Sequence, residues 1–255
     1  VVHVNQDMHL HNGWGRETFQ LPPTDLLIVA DPDETVRELI GELGIHPKLN
    51  EKLESAAEFP EFSGHLNLVD VARELSAAVG SQKVSFASLA RAWPTKYWPF
   101  SDPLSYLGKD GGGGVGSGPG LCVGAALKLK DSDRLVVGVI GDGDCMMGVN
   151  AFWTAARYAI PVLIIVANNR SYYNDELHQE GVAIHRGRDP ENRWVGQTID
   201  HPAPNISQIA EGLGIESAGP ITSIDGLKAA LTHGVEVVRG GKPFLVDVHI
   251  DPRHG

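Results

Sequence analysis

The sequence predicts an α/β fold, a parallel sheet with helices on both faces, and two observations carry that prediction. From Leu66 onward, stretches with helical apolar spacing alternate with short apolar runs of strand length. Two of those runs, 135–140 and 162–167, are apolar at nearly every position, as expected for strands buried on both faces.

The elements follow in chain order. Leu26 to Ala30 reads as a strand, Asp31-Pro32-Asp33 as a turn, and Val36, Leu39, Ile40 and Leu43 as one face of a helix. So few elements cannot bury their own faces, so residues 1–45 are expected to be the tail of a larger domain. Residues 46–64, with Pro47, Pro60, Gly64 and many charges, read as a linker, and 65–255 as the main domain. There, Leu68, Val69, Ala72, Leu75 and Val79 mark a helix, followed by a strand over 83–88. A glycine-rich stretch leads into a helix at about 120–130, then strand 135–140, helix 148–159 and strand 162–167. Residues 168–198 form a polar loop or helix region. Helix 206–213, a strand near Ile215, helix 224–238 and strand 244–250 complete the chain.

Composition narrows the function classes. Hydrophobic residues make up 42% and charged residues 21%, which excludes global disorder, and no G-X-Y period points to collagen. The 30 glycines are unevenly placed, nine of them among the 17 residues from Gly108 to Gly124, so the excess is a local device. A net charge of −11 disfavours nucleic acid or an anionic membrane as partner. Cys122 and Cys145 are too few for a disulfide framework, which suggests a reduced, cytoplasmic setting. No apolar run approaches the roughly 18 residues of a membrane helix, and no signal peptide is visible. The chain opens on Val1 in structured-looking sequence, which suggests a piece of a longer protein.

Two motifs compete for the chemistry. Gly111-x-Gly113-x-x-Gly116 matches the dinucleotide fingerprint in form, but Ser105 to Asp110 is a poor strand to precede it. The other signal is Gly141-Asp142-Gly143 at the end of strand 135–140, then 24 residues, then Asn168-Asn169 at the end of strand 162–167. Ligands of parallel α/β sheets bind outside the carboxyl ends of strands. Asp142 and Asn169 would there offer two oxygens to one hard cation of the magnesium type, beside a phosphate. Gly143 would expose N–H groups toward a helix starting near Gly148, a natural phosphate site. Two ordinary surface turns are the plain alternative.

Gly141-Asp142-Gly143 with Asn168-Asn169, together with Ala151 to Pro161, resembles the thiamine-diphosphate-dependent family of acetolactate synthases, benzoylformate decarboxylases and pyruvate decarboxylases. The resemblance covers about residues 65–250 and implies the diphosphate-binding domain. Ala30-Asp31-Pro32 resembles the end of the family's Rossmann-like middle domain. It implies Mg²⁺ bound by Asp142, the Asn169 side chain and the Ser171 carbonyl. Diphosphate contacts would come from Gly141, Gly143, Asp144, Cys145 and Tyr172. Gly113, Gly114 and Val115 would line the bent cofactor, Val115 standing where the family places a larger apolar wedge; a flexible glycine loop is the alternative. Asp175 and His178 are candidates for proton transfer or for a polar substrate group, against a solvated lid helix. His3, His9 and His11 lack metal-like partners and read as a solvated strand or loop.

The implied reaction is decarboxylation of a 2-oxo acid, or carboligation, with thiamine diphosphate as the electron sink. The family's Glu that activates the aminopyrimidine comes from a pyrimidine-binding domain of another subunit. A homodimer or homotetramer of chains of roughly 500–600 residues is therefore expected, by analogy with the family's three-domain build. A nucleotide-dependent oxidoreductase and a non-catalytic domain keeping the fold are the alternative functions.

Overall fold

The computed structural model describes residues 1–6, 10–11, 18–19, 24–44, 57–108 and 114–251. The chain divides into two compact units, Val1–Lys52 and Leu53–Gly255.

In the first unit, β1 (Val2–Asn5) pairs in parallel with β4 (Leu26–Val29), and β2 (Leu10–His11) pairs antiparallel with β3 (Thr18–Phe19). Helix α1 (Pro32–Glu42) starts where Asp31 accepts the Asp33 and Glu34 N–H groups at 2.9 and 3.2 Å, with proline in its first turn. Its apolar residues Val36, Leu39 and Leu43 are exposed. His3 lies in β1, half-buried, and His9 falls outside the described residues. The sequence reading leaves His3 in a strand or a loop, because Val2-His3-Val4 is too short a run to show a period, and the structure makes it strand β1.

The second unit begins its regular structure with α2 (Leu68–Val79), entered through a capping box between Asn67 and Asp70. Then come β5 (Lys83–Ser88), α3 (Gly118–Leu129), β6 (Arg134–Gly141), α4 (Asp142–Gly148), α5 (Asn150–Arg157) and β7 (Leu163–Asn168). Helices α6 (Tyr173–His185) and α7 (Ile206–Gly212), strand β8 (Glu216–Ile221), helix α8 (Ile224–Arg239) and strand β9 (Phe244–His249) follow. The sheet order is β5-β6-β7-β9-β8 and every pairing is parallel. An α/β fold with a parallel sheet covered on both faces is therefore what the chain adopts.

Strand alternation splits the core in two. Leu135, Val137 and Val139 of β6, Leu163 and Ile165 of β7, and Phe244, Val246 and Val248 of β9 pack under α2 and α8. Val136, Ile140, Ile164, Val166 and Leu245 face the other way, among residues of α3, α5 and α7. Each fully buried large side chain contributes about 1.5–3 kcal/mol. Helix α3 comes so close to β6 that a Cβ at Gly138 would lie 2.1 Å from Cys122 Sγ.

The open edge of β5 is covered by residues 105–107. Phe86 N–H donates to the Ser105 carbonyl at 3.0 Å and Leu107 N–H to the Phe86 carbonyl at 2.9 Å. Arg134, nearly buried, reaches Ser85 Oγ at 2.6 Å, the Val84 carbonyl at 2.8 Å and Asp102 Oδ2 at 3.2 Å, which fixes this segment. It delivers the chain to the glycine-rich stretch.

One expected element changes. The helix read as 148–159 is two helices, and the first begins at Asp142, directly after β6. Gly-Asp-Gly-Asp has poor intrinsic helix propensity. Tertiary contacts to Asp144, Gly143 and Gly148, described next, override it.

Candidate functional site

Strands β6 and β7 are neighbours with Gly141 opposite Ala167, so Asp142 and Asn168-Asn169 emerge side by side at the carboxyl edge of the sheet. Asp142 is 2% exposed and its Oδ2 has no hydrogen-bond partner among the described residues. Burial pushes this carboxyl up to about 6. Backbone N–H groups of Asp142, Gly143 and Arg170 favour its charged form without offsetting the burial, and the Asp247 carboxylate disfavours that form further.

The turn after β7 is built by two asparagines with different tasks. Asn168 donates from Nδ2 to Asp247 Oδ1 at 2.9 Å, and its Oδ1 accepts the Arg170 N–H at 3.1 Å. Asn169 Oδ1 accepts the Ser171 N–H at 2.9 Å. Between them Arg170 adopts a left-handed backbone, φ 58°, unusual for a side chain of its size. The turn is also pinned from the far side of a long excursion. Ile199 N–H donates to the Arg170 carbonyl at 2.7 Å, Tyr172 N–H to the Gln197 carbonyl at 2.9 Å, and Ser171 bridges Thr198. No backbone N–H among the described residues is bonded to the Ser171 carbonyl.

The glycines permit close approach. A Cβ at Gly143 would lie 2.3 Å from Tyr172 Cε1, so the tyrosine ring rests on the bare backbone after Asp142. Asp144 Oδ1 accepts the N–H of Gly116 at 2.6 Å and of Gly118 at 3.3 Å. A Cβ at Gly118 would stand 2.0 Å from Asp144 Oδ2, and one at Gly148 would stand 2.5 Å from the Gly116 carbonyl oxygen. The glycine-rich stretch and α4 thus interlock.

The expected site residues separate into groups. Gly141, Asp142, Gly143, Asn169, Ser171 and Tyr172 are brought together at the two strand ends. The Asp144 side chain is committed to Gly116 and Gly118, and the Cys145 side chain is fully buried in the core beside α3, its thiol pushed upward by burial. A ligand would therefore meet the backbone of these two residues rather than their side chains. Val115 is 51% exposed, Gly114 is beside it, and Gly113 lies outside the described residues. Asp175 is half-buried in the first turn of α6 and His178 is exposed, and neither is held by a side-chain hydrogen bond among the described residues.

Two residues escape the sequence reading. Glu176 is 8% exposed, accepts the Ser171 hydroxyl at Oε1, and faces Arg193, which also pairs with Glu180 at 2.6 Å. Asp247 is 1% exposed on β9. Its parity with Leu245, which puts an acid at an inward position of an apolar strand, is the signal that could have found it.

Residues 87–248 match the family model described as thiamine pyrophosphate enzyme, C-terminal TPP binding domain. The chain belongs to this family. It is 30% identical over 158 residues to the acetolactate synthase isozyme 3 large subunit of Escherichia coli K12, an alignment covering 61% of this chain and 25% of the relative. Similarity to the benzoylformate decarboxylase of Pseudomonas aeruginosa is 29% over 182 residues, 67% of this chain and 30% of that one. A solved thiamine diphosphate-dependent 4-hydroxybenzoylformate decarboxylase from Rhodococcus jostii RHA1 superposes with a TM-score of 0.67 at 25% identity, covering 90% of this chain and 41% of the other. The chain thus spans less than half the length of these relatives.

The strand-end site can be tested on its chemistry. Among the described residues no three His, Cys, Asp or Glu side chains gather as a metal cluster. The donors at the strand ends are instead one carboxylate with an unsatisfied oxygen, one carboxamide and one backbone carbonyl. That all-oxygen set fits a magnesium-like cation, which takes one or two carboxylates and completes its shell with water and phosphate.

Proposed function

We propose that the chain is the diphosphate- and Mg²⁺-binding part of a thiamine-diphosphate-dependent enzyme that acts on 2-oxo acids by decarboxylation, carboligation or both. The observation that supports this best is the buried, unpartnered Asp142 oxygen set beside the Asn169-Ser171 turn. A cation there would give that oxygen a partner and remove the cost of the buried charge.

In this reading Asp142, Asn169 and the Ser171 carbonyl hold Mg²⁺, and the backbone of Gly141, Gly143, Asp144 and Cys145 meets the diphosphate. The ring of Tyr172 covers Gly143 and keeps water from that side. Gly113, Gly114 and Val115 line the cofactor's body, with Asp144 fixing their segment through Gly116 and Gly118. Bound thiamine diphosphate supplies an electron sink for the pair released when the bond beside a carbonyl carbon breaks. Asp175 and His178, on the segment leaving the same strand end, are the proton-handling candidates. The pyrimidine-binding domain of another subunit in a homodimer or homotetramer contributes the activating Glu, and the cytoplasm is the expected compartment.

The test is thermal melting of the native assembly with thiamine diphosphate and Mg²⁺. Ligand at about 100 times its dissociation constant stabilises by about 2.7 kcal/mol, which raises the melting temperature by several degrees. The reading requires that rise in the wild type and its loss in Asp142→Ala. An equal rise in both proteins, or none in the wild type, overturns it.

A further inference from the structure

Asp247 lies in no donor set proposed above, yet it is a nearly inaccessible carboxylate within electrostatic reach of Asp142. Its one described hydrogen bond is to Asn168 Nδ2 at 2.9 Å. We infer that Asp247 is a positioning residue for the metal site, fixing through Asn168 the turn that carries Asn169 and Ser171. The inference rests on the Mg²⁺ reading above.

A carboxylate only accepts, whereas a carboxamide has one accepting and one donating end. With Asp247 facing it, Asn168 must turn its nitrogen toward β9 and its oxygen toward the turn. That oxygen accepts the Arg170 N–H at 3.1 Å. Arg170 stands in the left-handed region, φ 58°, where a non-glycine residue needs support from its surroundings. A reversed Asn168 would point donors at the Arg170 N–H and take away the side-chain oxygen that holds it at 3.1 Å. The turn would then relax toward commoner backbone angles, moving Asn169 Oδ1 and the Ser171 carbonyl away from Asp142.

The test uses Mn²⁺ as the probe, its affinity read by electron paramagnetic resonance in the presence of thiamine diphosphate, on the full-length protein in its native assembly. Outer-shell partners of metal ligands are worth about 10–100-fold in affinity. Asp247→Leu is expected to weaken Mn²⁺ binding by about that factor while the folded circular dichroism spectrum is kept. If Asp247→Leu does not fold, Asp247→Asn is compared with the exchange Asn168→Asp/Asp247→Asn. The single variant lets the amide pair turn either way and should lose at least about threefold. The exchange restores one donor facing one carboxylate and an oxygen facing Arg170, and should regain affinity to within about twofold. Wild-type Mn²⁺ affinity in Asp247→Leu or, failing that variant, in Asp247→Asn overturns the inference, as does an exchange that recovers nothing. Asp142→Asn run alongside separates the two ideas. If it also binds Mn²⁺ like the wild type, the metal reading itself is wrong; if it alone loses the metal, only the role of Asp247 is.

Discussion

Asp144 reaches 28 residues back along the chain and accepts the Gly116 N–H at 2.6 Å, clamping the glycine-rich stretch to the helix that follows Asp142. This one carboxylate connects the segment proposed to line the cofactor's body with the segment proposed to hold its diphosphate. Asp144→Ala should therefore destabilise the protein by about 2 kcal/mol, as expected for lost hydrogen bonds to a charged group. It should also weaken thiamine diphosphate binding while Mn²⁺ affinity changes less. Urea unfolding and calorimetric titration read the two effects, and an unchanged cofactor affinity would count against the clamp.

The Asp142 carboxyl gives a pH prediction with a definite sign. It titrates at about 6 in the fold and at 3.8 as an ordinary aspartate, so the folded state binds the proton more tightly. Stability without ligand must then fall as pH rises from about 4 to about 6, and the loss persists above that range. At about 1.4 kcal/mol per pH unit the loss amounts to about 3 kcal/mol. Asp142→Asn removes this cost, so at pH 7 the ligand-free variant should be the more stable protein, while losing Mg²⁺ binding on the proposed reading. Urea melts from pH 4 to 8 check this, and parallel curves for the two proteins would refute it.

Gly143→Ala forces a methyl group into the Tyr172 ring, at 2.3 Å from Cε1. Relieving the overlap costs about 1–3 kcal/mol and displaces the ring. In a Tyr172→Ala background the same change should cost markedly less. A double-mutant cycle by thermal unfolding measures the coupling, and additive effects would show that the ring does not rest on Gly143.

Asp175 and His178 are assigned to proton handling without a described side-chain partner, so their test is kinetic. Asp175→Ala and His178→Ala should each lower kcat for a 2-oxo acid by about 10²-fold or more, the usual worth of general acid–base catalysis, with little change in melting temperature. Full turnover in either variant removes that residue from the mechanism.

The legibility of the sequence varied with how far each feature depends on distant contacts. Strand β5 and helix α2 are read at their observed limits, because a short run of strand length and regular helical spacing are local properties. Gly141-Asp142-Gly143 and Asn168-Asn169 were legible as a pair because the parallel register sets consecutive strand ends side by side. Helix α4 was not, since its glycine-rich sequence becomes helical only through the Asp144 clamp and the Gly148 contact. Glu176 is not distinguishable from its neighbour Asp175 in the sequence because the polar segment shows no clear period. The side facing inward is set by Ser171 and Arg193. The role of Asn168 needs β9 beside it, a contact 79 residues away.

The excursion from Tyr172 to Thr198 leaves and rejoins the sheet through main-chain bonds at Arg170, Ser171 and Tyr172. Main-chain bonds do not depend on which side chains the excursion carries. Apart from Tyr172 and Glu176, whose side chains meet Gly143 and Ser171, the stretch between the two pins can thus exchange residues while Asn169 and Ser171 stay where the pins put them. Such an arrangement would let that segment diverge by mutation at little risk to the turn at the strand end.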